Sequence, residues 1–158
     1  MAGYGDLKAK DDLDRFFAQV DRPKGIHLCG NPDWDFLLRL DLDVLSLDVY
    51  TNGEIFSSYV ASIRKFLDRG GVLVWGIVPT GIEAFAQEEI PSLIQRLEDL
   101  WKTLCLKGID REHLLSRSML SPATRCLINP DKERTVERAF AAVKQIAESL
   151  REKYFRQA

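Results

Sequence analysis

His27 and Cys29 stand two positions apart in Gly25-Ile26-His27-Leu28-Cys29, an apolar run closed by Gly30-Asn31-Pro32. Residues at i and i+2 of a strand project from one face, so an imidazole and a thiol are presented together. Both groups ligate zinc. The competing reading is a cysteine packed as a small hydrophobe beside a hydrogen-bonded histidine. Cys126 adds a third donor, following Met119-Leu120-Ser121-Pro122-Ala123-Thr124-Arg125. Three such ligands leave one tetrahedral position open, the catalytic form of a zinc site. A thiol taken into that position loses its proton and becomes a nucleophile at neutral pH. Otherwise Cys126 is a loop cysteine of no special role.

Other candidates carry weaker signals. Asp48 ends Val44-Leu45-Ser46-Leu47-Asp48, sharing a face with Val44 and Ser46. It is placed to contact a metal or a substrate amine, or else to cap the following turn. Cys105, beside Leu104 on a long amphipathic stretch, reads as core packing. His113 falls at the start of a strand and has no evident catalytic role. Gly76, near the end of Val72 to Val78, either admits a ligand to the backbone or relieves crowding. Trp34 reads as a helix-packing residue or as a pocket wall.

The elements that must position these residues follow from periodicity. Leu13, Phe16, Phe17 and Val20 recur at helical spacing over 11–20, before the breaker Arg22-Pro23. Strands are predicted at 25–29, 44–49 and 72–78, with a weaker fourth within 113–120. The third is apolar enough to be buried on both faces. Helices are predicted at 33–40, at 54–69 with Gly70-Gly71 as its stop, up to about 107, and after Asn129-Pro130, read as an N-cap and first helical position. The order is α-βα-βα-βα-βα over one domain, residues 1–158. Repeated βα units imply an α/β fold with a parallel sheet, either a small open sheet or half of a barrel.

Composition narrows the field. Hydrophobic residues make up 46% of the 158 and charged residues 29%, which excludes disordered and low-complexity classes. A net charge of −2 offers no nucleic-acid footprint and no polybasic membrane anchor. The start lacks the basic and apolar regions of a signal peptide, and no apolar run approaches the roughly 20 residues of a membrane span. Three cysteines are too few for a disulfide scaffold, so a cytoplasmic location is expected. A complete (β/α)8 barrel needs roughly 250 residues, more than this chain has.

Gly25-Ile26-His27-Leu28-Cys29-Gly30-Asn31 resembles the H-x-C metal motif of cobalamin-independent methionine synthases. It also resembles that of the related zinc methyltransferases acting on methylated corrinoids, within the uroporphyrinogen decarboxylase-like superfamily. Leu120-Ser121-Pro122-Ala123-Thr124-Arg125-Cys126-Leu127 is similar to the later cysteine motif of that family. Leu45 to Asp48 and Trp75 to Thr80 fall where the family has two intervening strands. The resemblance implies the second half of a (β/α)8 TIM barrel, with zinc held by His27, Cys29 and Cys126. Asp48 stands where the family often has a further zinc-ligating glutamate. A thiol such as homocysteine would then accept a methyl group from a folate or a methyl-corrinoid.

The resemblance also implies that strands one to four, with most of the groups that hold the methyl donor, lie outside this sequence. Four βα units leave two strand edges and one apolar face uncovered, so a partner is expected. It is either a second copy or a separate chain supplying the first half-barrel. Three functions follow: a zinc-dependent thiol methyltransferase domain, a non-catalytic half-barrel that binds a partner, or a metal-free decarboxylase-like relative.

Overall fold

The computed structural model describes residues 6–123 and 129–155. α1 (Asp6–Phe17) leads into β1 (Gly25–Leu28), followed by α2 (Trp34–Leu38) and β2 (Val44–Asp48). α3 (Val49–Phe56), a 3-10 turn (Ser57–Tyr59) and α4 (Val60–Asp68) lead to β3 (Val72–Pro79). α5 (Ile82–Ala86), α6 (Ile90–Leu106) and α7 (Arg111–Ser116) precede β4 (Ser118–Ala123), and α8 (Arg134–Phe155) comes last. The four strands form one parallel sheet in the order β1-β2-β3-β4. The α/β class and the repeated βα units are those expected from the sequence.

Sequential order has a physical consequence. Right-handed crossovers that always step in one direction deposit their helices on one face of the sheet. A doubly wound sheet instead reverses direction and covers both faces. Leu45, Leu47, Leu73 and Trp75 point into the helical layer and are fully buried. Phe56, Ile63, Phe66, Leu97, Leu104 and Ile146 meet them there. Each such side chain stabilises the fold by about 1.5–3 kcal/mol through removal of apolar area from water. The alternate residues Val44, Ser46, Val72 and Val74 are only part-buried, and His27 and Met119 are exposed. β3 was expected to be buried on both faces; over Val72 to Trp75 only its helical side is, because no helix is delivered to the other.

Five aromatic rings run through the helical layer. Trp34, Phe56, Trp75, Trp101 and Tyr154 meet edge to face in succession, with centroids 5.2, 6.0, 6.3 and 6.4 Å apart. This geometry suits the ring quadrupole. Trp34 is fully buried, its Nε1–H donating to Asn31 Oδ1 at 2.8 Å, so it is a packing residue. At the opposite, N-terminal end of the sheet, Arg22 and Lys24 pair with Asp41, and Arg22 with Asp43. Hydrogen bonds from Lys24 and Arg22 hold the Asp41 carboxyl below its ordinary pKa against a small desolvation.

Some element boundaries differ from the sequence expectation. The helix expected at 54–69 begins earlier and is broken by the 3-10 turn, because Asp48 caps α3 directly after β2. The fourth strand starts at Ser118, and His113 belongs to α7, where Asp110 accepts from the His113 N–H at 2.7 Å. A capped turn outcompetes the strand pattern there.

Candidate functional site

The C-terminal ends of the strands bring the sequence candidates to one rim. β1 pairs with β2 so that His27 lies opposite Ser46, and the same row continues through Val74 to Met119. All four residues belong to the face that the helices leave uncovered. His27 Nδ1 and Ser46 Oγ are hydrogen-bonded at 2.8 Å, which fixes the plane of the imidazole. The sequence did not point to Ser46 as the histidine's partner. Its signal is parity alone, since a register between two strands is not written in either of them.

Cys29 follows β1 by one residue and is exposed as a free thiol. Cys126, the third expected ligand, lies outside the described residues. Among the described residues no group of three or more His, Cys, Asp or Glu side chains is assembled around one point.

Asp48 sits two residues further along β2 than Ser46, opposite Gly76, and is only 1% exposed. Its Oδ1 accepts from the Thr51 N–H at 2.9 Å, and its carbonyl accepts from Asn52 Nδ2 at 3.3 Å. The carboxylate therefore serves as the N-cap of α3, satisfying a backbone donor that the first helical turn leaves orphaned. A negative charge at that position also favours the positive end of the helix.

Gly76 explains the shape of the rim beyond Asp48. A Cβ there would lie 2.7 Å from the Leu47 carbonyl oxygen and 3.1 Å from Ala123 Cα. The pairing of β3 with β4 shifts register between Gly76 and Val78. Its role is close backbone approach at an irregular pair, the crowding alternative of the sequence reading. On β4, Ser121 stands opposite Gly76, and its hydroxyl is buried without a hydrogen-bond partner.

Asn129 was expected to cap the last helix, but α8 starts at Arg134. Its amide instead staples the end of β3 to α5: Nδ2 donates to the Thr80 carbonyl at 2.8 Å, and Oδ1 accepts from the Ile82 N–H at 3.2 Å. Cys105 is packed beside the core as expected, and burial pushes its thiol pKa up, which keeps it protonated and inert. No helix of the described residues is long and apolar enough to cross a membrane. Comparison with family models, with curated proteins and with solved structures finds no match to this chain.

Proposed function

We propose that the uncovered rim is a zinc–thiol centre at which a small thiol such as homocysteine accepts a methyl group. The observation that carries this reading is an exposed thiol, Cys29, two residues from an imidazole held at Nδ1 by Ser46. A metal-ligating imidazole is characteristically held by a hydrogen bond at its second ring nitrogen, which fixes ring orientation. The donor set of nitrogen and sulfur suits zinc in preference to magnesium or calcium. His27 and Cys29 supply two ligands, and Cys126 completes the set implied by the family resemblance.

Zinc in such a site supplies Lewis acidity, keeping a bound thiol ionised at neutral pH. The chain's own residues orient and enclose. Ser46 aligns the His27 ring, and Asp48 fixes the start of α3 and with it the rim around the donors. In the overall reaction the donor–carbon bond breaks, its electron pair staying with the donor, and a sulfur–carbon bond forms; the thiol proton ends on the folate nitrogen, or passes to solvent where the donor is a methyl-corrinoid. The methyl donor is a folate or a methyl-corrinoid, and the half-barrel that would hold it is supplied by a partner.

The test is metal content. The purified chain is expected to bind zinc stoichiometrically, and His27→Ala and Cys29→Ala each to lose it while keeping the far-UV spectrum of the parent. Both side chains are exposed, so neither change disturbs the core. A chain with no zinc affinity overturns the reading. A second reading, a half-barrel that assembles without catalysing, is favoured by the uncovered sheet face. Methyl transfer to homocysteine on adding the complementary half separates the two.

A further inference from the structure

β1 and β4 are the two outer strands of the sheet, they run in the same direction, and the face between them is only partly covered. We propose that two copies of this chain close head to tail into one eight-stranded parallel barrel. β1 of each copy pairs with β4 of its partner about a two-fold axis along the strands. The inference stands whatever the chemistry of His27 and Cys29.

The sheet itself supplies the first argument. An unpaired parallel edge is a template for a strand of the same polarity, and this chain offers one such edge at each side. Two copies related by a two-fold axis satisfy four edges with two identical seams and leave none open. Eight strands is also the number at which the interior of a barrel is just filled by side chains. The part-buried Val44, Val72 and Val74, with the exposed Met119, provide that filling from each copy.

The surfaces flanking the edges supply the second argument, because they are complementary. Beside β4, an apolar groove of about 810 Å³ runs between the strand and α8, lined by Leu115, Met119, Val143 and Leu150, with Lys144 and Arg151 at its rim. On the other side of the molecule, the segment entering β1 displays Phe16 at 59% exposure and Val20 at 38%. The same helix carries Asp11, Asp12 and Asp14. Asp14 and Asp12 are paired there with Lys10 and Arg15, and Lys8 lies on the same helix. An apolar groove on one edge thus faces exposed apolar side chains on the other. A β4-to-β4 contact would leave both β1 edges open. In the head-to-tail arrangement His27 and Cys29 lie at a seam.

Light scattering at micromolar concentration is expected to give twice the mass of one chain. Met119→Lys on the β4 side and Phe16→Asp on the α1 side are each expected to give folded monomers, their circular dichroism unchanged because both residues are exposed. Mixing the two variants restores one intact seam of the two, so dimer reappears in the mixture. A wild-type monomer overturns the proposal, as does a dimer that survives both substitutions. A dimer abolished by only one of them indicates a like-edge contact, and an open-ended polymer indicates seams that do not close; either also overturns it. A foreign chain occupying the edges in place of a second copy is the remaining adverse result.

Discussion

At the scale of single residues, Asp48 is the most instructive. It is a carboxylate at the end of a parallel strand, the place where sites of such folds gather, and yet its oxygen is committed to the Thr51 amide. Removing that acceptor leaves a first-turn amide without its cap, so Asp48→Ala is expected to destabilise the chain by about 1–2 kcal/mol. Asp48→Asn keeps an acceptor at the same position and is expected to cost only a few tenths of that change. Urea denaturation of the two variants checks the difference. Zinc binding by Asp48→Asn at the wild-type level marks the residue as one that shapes the rim and does not ligate. The alternatives for Asp48 were visible in the sequence. Capping was one of them; the expected strand ran one residue too far, to Val49, which instead opens the first turn of α3.

Among the elements, the strands were legible and the helix starts were not. β1, β2 and β3 are short apolar runs between breakers, and the sheet reproduces them to within a residue or two. α7 was missed because six residues, Arg111–Ser116, are too few to show a period. Asn129 was misplaced because its partners, Thr80 and Ile82, are far away in the sequence. The contact between α6 and α8 carries a pH dependence of the same long-range kind. Burial raises the Glu98 pKa, but Lys153, donating at 2.7 and 2.8 Å, and Tyr154, at 2.5 Å, outweigh it and hold the carboxyl below its ordinary value of 4.5. A carboxylate whose folded pKa is depressed stabilises the fold above its unfolded value and loses that contribution as pH falls through the folded one. Stability is therefore expected to decline below about pH 4.5. In Lys153→Met the decline is shallower and stability at neutral pH is lower, because the part-buried carboxylate has lost its cation. Thermal melts over that pH range, parent against variant, test both signs.

For the whole molecule, the informative quantity is the asymmetry between the faces of the sheet. Its origin is topological: each crossover steps one strand onward, so every helix is laid on the same side. The sequence carries this only in part. The alternation of Leu45 and Leu47 with Val44 and Ser46 shows two faces of different polarity, while Val72 to Val78 is apolar throughout and conceals the distinction. Strand order, which decides whether the second face is covered, cannot be read from any one segment. The same asymmetry separates the two kinds of risk in the molecule. Changes on the helical side remove packing, at about 2–5 kcal/mol for a buried leucine cut to alanine. Changes among His27, Ser46, Val74 and Met119 bear on what the uncovered face meets.

The aromatic succession from Trp34 to Tyr154 makes the protein its own reporter. It contains all three tryptophans of the chain, and each lies in the helical layer, at most 7% exposed. Neighbouring centroids lie within 6.4 Å of one another. The intrinsic emission is expected to be that of shielded indoles, shifting to the red in one step as the core opens in urea. Zinc or a thiol arriving at the His27 rim, on the other side of the sheet, is expected to leave the spectrum unchanged. Titration followed by fluorescence checks this: the optical signal follows the integrity of the fold and is blind to the site.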